Sequence, residues 1–227
     1  MASRFLSTIP RAVKALLIAN ALVFVLQLFA NDALLNAFAL WPLPFGVATD
    51  VQHPSFMPWQ LVSYAFLHGS FGHLFFNMLA VLMFGAQLEY EWGQKRFVTY
   101  WLWCILGAGA CQLLMQTFVA PGYAIGASGG VYGLILAFAV KYPHQRVVMF
   151  PLPIQMSART MAIGYAVAAL LYGVFGSQEG VAHFAHLGGM LTGWIVLRYW
   201  RQEPPFGKWR RKKPAPKKKP SHLRIVH

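Results

Sequence analysis

The chain has 227 residues, of which 57% are hydrophobic and only 11% are charged, whereas an ordinary soluble domain carries roughly 25% charged residues. Nineteen Lys and Arg residues against six Asp and Glu residues give a net charge of +13. Ten of the basic residues and one acid lie in residues 201–227. This composition excludes a disordered chain, a disulfide scaffold and a typical water-soluble enzyme. A basic tail behind an apolar body indicates a membrane protein with a cytoplasmic end.

Six apolar segments are candidates for crossing a bilayer, which takes about 20 residues. They are residues 13–31, 70–90, 97–118, 127–141, 159–176 and 181–199. The first segment follows basic residues, as the apolar region of a signal peptide does. It contains Asn20 and Gln27, however, and has no A-x-A-like cleavage site, so we expect a spanning helix there.

The basic residues predict the orientation of these segments. All nineteen lie before the first segment, between the second and third, between the fourth and fifth, after the sixth, or at the adjoining segment ends. By the positive-inside rule, an all-α bundle of six transmembrane helices with both termini cytoplasmic is predicted. Residues 1–12 would form the cytoplasmic amino terminus, 13–200 the helical core, and 201–227 a basic, disordered tail.

Two connections have informative compositions. Residues 32–69 are too apolar for a solvated loop and contain Trp41 and Trp59, so we expect them at the outer membrane interface. The tail beyond Pro204 is rich in Lys, Arg and Pro, a composition that cannot bury a core. We expect it to contact anionic membrane lipid rather than nucleic acid.

Polar groups inside a bilayer are costly and are therefore candidates for function. In the predicted helices and at their ends they are His68, His73, Asn77, Ser128, His183 and His186. A lone intramembrane serine usually bonds its own backbone, and a lone histidine is usually structural. Spacing favours function here, because His73 and Asn77 are four residues apart and share one helix face.

Glycines favour close packing of the helices that carry Ser128 and His186. Ser128 lies between Gly126 and Gly129, which allow another backbone or a substrate to approach. Two G-x-x-x-G pairs, which permit tight helix contact in membranes, are Gly129 with Gly133 and Gly189 with Gly193.

Counting residues places Ser128 and His186 at one depth. Ser128 precedes Lys141, at the inner edge, by roughly 20 Å of helix, and His186 precedes Arg198 by roughly 18 Å. Both side chains would lie on the order of 10 Å below the outer surface of a hydrocarbon core about 30 Å thick. The loop over residues 119–127 must then dip into the bundle, which is tolerated only beside a water-filled cavity.

A serine, a histidine and water at one depth predict a hydrolytic site. No carboxylate is available at that depth to complete a triad, so we expect a Ser128–His186 dyad. Packing must then orient the histidine, and Tyr132, one turn beyond Ser128, is the ring best placed to do so.

These motifs resemble those of the rhomboid intramembrane serine proteases. Residues 126–132, GASGGVY, are similar to the G-x-S-G motif around the family's nucleophile. Residues 185–189, AHLGG, followed by Gly193, resemble its A-H-x-x-G-x-x-x-G helix. His68 and residues 73–77, HLFFN, match its second-helix pattern. The long outer loop departs from the family, which often has Trp-Arg where this chain has Trp59-Gln60.

The resemblance implies a bacterial-type, six-helix rhomboid protease in the cell's inner membrane, with no cofactor and no metal. Ser128 would be the nucleophile and His186 the general base. The Ser128 amide, His73 and Asn77 would form the oxyanion hole, with Tyr132 supporting His186. Substrates would be single-span membrane proteins whose helices are weakened by Gly, Ala, Ser or Pro.

Three other functions are open to these residues. An inactive relative that chaperones membrane proteins would usually lack the nucleophile or the base, and this chain has both. A transporter is disfavoured because the sequence shows no repeated halves and no carboxylate at mid-depth. A zinc site of His68, His73, His183 and His186 would lack the H-E-x-x-H pattern.

Overall fold

The computed structural model describes residues 8–45, 54–119, 122–149, 154–175 and 181–201, which are mostly helical. The helices are α1 (Arg11–Phe38), the short α2 (Gln60–Ser63), α3 (Phe71–Trp92), α4 (Gln94–Phe118), α5 (Ser128–Lys141), α6 (Ala158–Phe175) and α7 (Val181–Trp200). A 3₁₀ turn at Tyr64–Phe66 follows α2, and Val81–Gly85 forms a π-helical stretch inside α3.

Four of the described helices, α1, α3, α4 and α6, are long and apolar enough to cross a membrane. Helix α5 is apolar but has 14 residues, which at the helical rise span only about 21 Å. That length is short of a hydrocarbon core of about 30 Å. The total of six spans and the cytoplasmic placement of both termini stay predictions.

Helix α1 is longer than expected. It was predicted to end at residue 31 but continues to Phe38, with a break in helical geometry at Ala30 (φ −141°, ψ 41°). The apolar run does end at the polar pair Asn31-Asp32. The next six residues, ALLNAF, include good helix formers, and they resume the helix beyond the break.

The connection between α5 and α6 includes two short strands that the sequence does not predict. It contains an antiparallel hairpin of β1 (Arg146–Met149) and β2 (Ile154–Ser157), in which Val147 pairs with Met156. The described residues are therefore mostly helical, as the sequence predicts, with one short hairpin between α5 and α6. The signal in the sequence is two short runs of β-branched and apolar residues around two prolines, too short to separate from a loop by periodicity.

Helix α7 lies in the middle of the bundle, against α4, α5 and α6, and its most extensive contact is with α4. Glycines make this possible: a Cβ on Gly193 would collide with the Tyr100 hydroxyl of α4. Tyr100 is fully buried, and its hydroxyl donates to the Gly133 carbonyl of α5 at 2.8 Å. The tyrosine thus ties α4 to α5 where α7 crosses both.

Helix α1 packs on this bundle through polar anchors at its start and near its middle. The Glu89 carboxylate accepts the backbone N–H groups of Ala12 and Val13, each at 2.8 Å. Further along, the Gln27 amide accepts the His68 N–H at 2.9 Å and donates to its carbonyl at 3.3 Å. Gln27 is accordingly buried although it lies in an apolar helix, and the buried Asn20 donates to the Leu16 carbonyl within α1 at 2.8 Å.

Several expectations concern residues outside those described. Residues 1–7 of the predicted amino terminus and residues 202–227 of the predicted tail fall in this category. Cys104 and Cys111 do lie in the described part, and both are free thiols.

Candidate active site

The loop before Ser128 passes directly over His73, and Gly126 allows it to do so. The Gly126 N–H donates to the Tyr64 carbonyl at 2.9 Å, and its φ of 120° is one that a residue with a side chain rarely adopts. A Cβ at Gly126 would lie 2.7 Å from Cε1 and Nε2 of His73. This contact brings the start of α5 beside the first turn of α3, and the buried Gly126 and Ala127 show the loop entering the bundle as expected.

Ser128 and His186 are joined by a hydrogen bond, with 2.8 Å between Oγ and Nε2. Helices α5 and α7 come close enough for it because they touch at backbone level: a Cβ on Gly189 would collide with the Gly129 carbonyl. Nδ1 of His186 has no hydrogen-bond partner in the described part of the chain. Within that part, no carboxylate is bonded to the Ser128–His186 pair.

Aromatic rings hold the His186 imidazole in place. Tyr132 stacks on it with ring centroids 4.2 Å apart and planes 9° from parallel. Tyr165 of α6 meets the Tyr132 ring edge-on at 5.6 Å. His183, one turn before His186, meets it edge-on at 5.6 Å and is itself stacked by Tyr172 at 5.4 Å. Ring packing thus orients the imidazole where a triad would use an aspartate.

His73 and Asn77 lie on one face of α3 and line the same cleft as Ser128 and His186. The Ser70 hydroxyl caps the helix by accepting the His73 N–H at 3.1 Å. The Asn77 side-chain amide donates one proton to the His73 carbonyl at 3.0 Å. An amide nitrogen has two protons, so Asn77 keeps one for another acceptor.

The cleft between α3, α5 and α6 has a volume of about 380 Å³. Its polar groups are at the Ser128 end, and its walls further along are apolar, including Met83, Ile135 and Met161. Val148 of the hairpin lines it as well. An apolar cleft with a few convergent polar groups is the usual form of a binding site.

His68 is separate from this group. It is 2% exposed, its backbone is bound by Gln27, and its ring meets the His73 ring edge-on at 4.9 Å without lining the cleft. In residues 8–45, 54–119, 122–149, 154–175 and 181–201, no three His, Cys, Asp or Glu side chains are placed to hold a metal ion. The structure therefore does not gather the four histidines into a zinc site.

Sequence reasoning missed two side chains that line the cleft and the structural role of one residue outside it. Tyr165 and Val148 line the cleft, but neither stands out in the sequence as a polar group in an apolar helix. Gln60, the departure from the family pattern, is buried, and its amide oxygen accepts the N–H groups of Trp41 at 3.3 Å and Met57 at 3.1 Å. Gln60 thus fixes the loop after α1 through an uncharged side chain. A search for ionisable residues does not find such a residue.

Fold and site together define a helical membrane protein with a serine–histidine pair in a cleft between its helices. A model of the Rhomboid domain family matches residues 55–203, more than half of the chain. The chain therefore belongs to the rhomboid family, and it is an integral membrane protein.

Relatives with known names support this assignment. RHOMBOID-like protein 4 of Arabidopsis thaliana is 26% identical over 97% of this chain and 60% of its own length. Rhomboid-like protease 3 of Toxoplasma gondii is 30% identical over 70% of this chain and 57% of its own length. Rhomboid protein 1, mitochondrial, of Saccharomyces cerevisiae is 29% identical over 62% of this chain and 41% of its own length. The chain thus spans about three fifths or less of the length of these curated relatives.

The particular membrane stays a prediction. These relatives come from a plant, a parasite and a yeast, and the yeast protein is described as mitochondrial. They support an integral membrane protein and give no support to the bacterial inner membrane expected from the sequence.

Proposed function

We propose that the chain is an intramembrane serine endopeptidase that cleaves peptide bonds in or near transmembrane segments, using Ser128 and His186 as a catalytic dyad. The observation that carries this proposal is the 2.8 Å hydrogen bond between Ser128 Oγ and His186 Nε2 inside a cleft between helices. Family membership supports the reaction class, and Rhomboid-like protease 3 is a relative whose name states a protease activity.

The reaction begins when Ser128 Oγ attacks a substrate carbonyl carbon and His186 Nε2 accepts the hydroxyl proton. The tetrahedral intermediate collapses as His186 gives this proton to the leaving amine, so the peptide C–N bond breaks and an acyl-serine remains. Water then attacks the ester, with His186 again acting as base, and releases the carboxylic acid and free Ser128. The Tyr132 stack keeps the imidazole in the orientation that both proton transfers need.

Three donors would stabilise the oxyanion. The first is the Ser128 backbone N–H, which lies at the start of α5, where N–H groups have no partner inside the helix. The others are the His73 imidazole and the free proton of the Asn77 amide, both of which line the cleft. Removing one preorganised donor typically costs about 2.7–4 kcal/mol of transition-state stabilisation.

The proposed substrates are single-span membrane proteins. The cleft is apolar between α3 and α6 and polar beside Ser128, which suits an apolar segment with one exposed peptide bond. The six-span topology with cytoplasmic termini belongs to the same proposal, since it places the dyad below the outer surface, as the sequence predicts.

Covalent labelling tests the dyad. A fluorophosphonate should label detergent-solubilised wild-type protein at Ser128, whereas Ser128→Ala and His186→Ala should lose labelling and lower turnover of a reconstituted substrate by about 10⁴-fold or more. Ser157→Ala, half-buried at the end of the hairpin and outside the cleft, is the matched serine control and should label like the wild type. Labelling that persists in Ser128→Ala would refute the mechanism. Absence of labelling in folded wild-type protein would instead indicate an inactive relative.

A further inference from the structure

A second cavity, of about 140 Å³, lies at the opposite end of the bundle from the dyad. It is found where α4 begins and where α5 and α7 end. Lys141, which lines it, is the last residue of the helix that Ser128 opens, so the two sites are roughly 20 Å apart along α5. We call this cavity the basal pocket. Its walls are Trp92, Arg96, Ala137, Val140, Lys141, Leu197, Trp200 and Arg201.

Three cationic side chains from three separate elements line the basal pocket. They are Arg96 on α4, Lys141 at the end of α5 and Arg201 after α7, and all three are exposed. One carboxylate is close, because Glu91 Oε1 is 2.6 Å from Lys141 Nζ. Neither Arg96 nor Arg201 has a carboxylate partner among the described residues. Counting only described residues, Arg96, Lys141 and Arg201 against Glu91 leave the pocket with an excess of two positive charges.

Aromatic contacts hold one of these cations in position. The Arg96 guanidinium lies over the Trp200 ring, 4.8 Å from its centroid. Trp200 in turn meets Trp92 edge-on at 5.7 Å and 89°. A guanidinium stacked on an aromatic face keeps its N–H groups free for a planar or tetrahedral anion. Arg96 is thus held in position to donate hydrogen bonds to an anion.

The surroundings identify the anion. Tryptophan side chains concentrate at the headgroup level of a bilayer, and Leu197 and Val140 give the pocket an apolar wall. Arginine pairs well with phosphate oxygens, and basic pockets between transmembrane helices bind anionic headgroups. A free inorganic anion would gain nothing from the apolar wall, whereas a glycerophospholipid would contact it with its glycerol and first acyl carbons.

We propose that the basal pocket binds the phosphate of one anionic glycerophospholipid in the leaflet facing this end of the bundle. Arg96 and Arg201 contact the phosphate. Lys141 adds positive charge to the pocket while it keeps its salt bridge to Glu91. The site is independent of the dyad and of the proposed proteolysis.

Native mass spectrometry of the full chain released from detergent, with phosphatidylglycerol as the probe, tests the proposal. Wild-type protein should retain one phosphatidylglycerol in preference to phosphatidylcholine. Arg96→Gln and Arg201→Gln should each lower that retention about tenfold or more, because each variant loses a charge-assisted hydrogen bond to the phosphate. Lys95→Gln removes the same charge from the adjacent residue, which does not line the pocket, and should stay within about twofold of wild type.

The control measurements distinguish a lipid site from diffuse surface charge and from a free-phosphate site. Equal losses in Lys95→Gln and Arg96→Gln would overturn the proposal in favour of diffuse charge, and equal retention of phosphatidylcholine would overturn it as well. Phosphatidylglycerol should raise the melting temperature of the protein. Inorganic phosphate at matched ionic strength should not raise it and should not displace the bound lipid. If it does both, the pocket is a free-phosphate site and the lipid assignment is wrong. Arg96→Gln also removes the contact with the Trp200 ring and could change the local packing. Arg201 lies after the last helix, so Arg201→Gln tests the pocket without removing that contact.

Discussion

At the scale of single residues, the site depends on side chains that position other side chains. The His186 ring is held by Tyr132, and His73 lies where a Cβ on Gly126 would be. Ser70 caps the helix that carries His73 and Asn77. Each polar group that faces the cleft thus has a neighbour that fixes its direction before a substrate enters, which is the condition for preorganised catalysis.

Tyr132 should act through its ring and not through its hydroxyl. Tyr132→Ala is expected to lower kcat by roughly three- to tenfold with little change in KM, because an aromatic contact contributes about 0.5–1.5 kcal/mol beyond burial. Tyr132→Phe keeps the stack and should stay within about twofold of wild type. Steady-state cleavage of a reconstituted substrate measures both. A Phe variant as impaired as the Ala variant would assign the effect to the hydroxyl.

His73 and Asn77 should affect turnover more than binding. His73→Ala and Asn77→Ala are each expected to lower kcat by about ten- to a thousandfold with KM nearly constant, because an oxyanion donor acts mainly in the transition state. His144→Ala and Asn36→Ala change the same residue types at exposed positions and should leave both constants unchanged. A His73→Ala variant with normal kcat and raised KM would make His73 a substrate contact.

At the scale of elements, the geometry of the Ser128–His186 pair depends on how closely α5 and α7 approach. Gly129 and Gly189 meet with no side chain between them, and Gly133 of α5 leaves room for the Cys104 side chain of α4. The Ser128–His186 hydrogen bond therefore depends on the spacing of whole helices.

A methyl group at this contact should weaken both fold and function. Gly189→Ala is expected to lower the free energy of unfolding by about 1–3 kcal/mol through overpacking and to slow fluorophosphonate labelling at Ser128. Gly164→Ala is the matched control, since a Cβ on Gly164 of α6 meets nothing within 4 Å. Thermal unfolding and labelling rates measure the pair. Equal behaviour of the two variants would show that α5 and α7 can separate without consequence.

The sequence predicts the positions of the long helices better than it predicts short strands, breaks within helices and contacts made by loops. Counting from Lys141 and Arg198 was enough to predict that Ser128 and His186 share a depth, because helical rise is constant. The hairpin at Val147 and the resumption of α1 beyond Ala30 escaped prediction, since short runs carry no decisive period. The contact between Gly126 and His73 escaped too, because it depends on how a loop meets a helix distant in the chain. The catalytic roles of these residues stay predictions.

At the scale of the whole molecule, large apolar side chains are exposed on the outside of the bundle and polar side chains are buried inside it. Phe29 on α1 and Phe175 on α6 are 85% and 81% exposed, whereas Gln116 on α4 is 1% exposed. This is the arrangement that lipid as a solvent favours, because buried polar groups can be satisfied inside the bundle and apolar side chains lose nothing in contact with acyl chains.

The basic tail should be dispensable for chemistry. Truncation after Arg201 retains the basal pocket and removes most of the basic residues of 201–227; we expect cleavage in detergent to stay within about twofold of full length, since the tail composition cannot bury a core. In anionic liposomes the full chain should associate with headgroups by about 1 kcal/mol per basic residue near the surface, and salt should screen this attraction. Cleavage by both forms in detergent and in liposomes, at low and high salt, measures this. Loss of activity in detergent on truncation would make the tail part of the enzyme.

The bond between Glu89 and the start of α1 also bears on the order of membrane insertion. Glu89 is 77 residues beyond Ala12, whose N–H it accepts, so at 5–20 residues per second the ribosome needs about 4 to 15 s to supply this acceptor. During that interval the first turn of α1 must leave its N–H groups with water or headgroups, because hydrocarbon offers no acceptor. Until α3 emerges, this turn of α1 therefore lacks the acceptor that Glu89 gives it in the folded bundle.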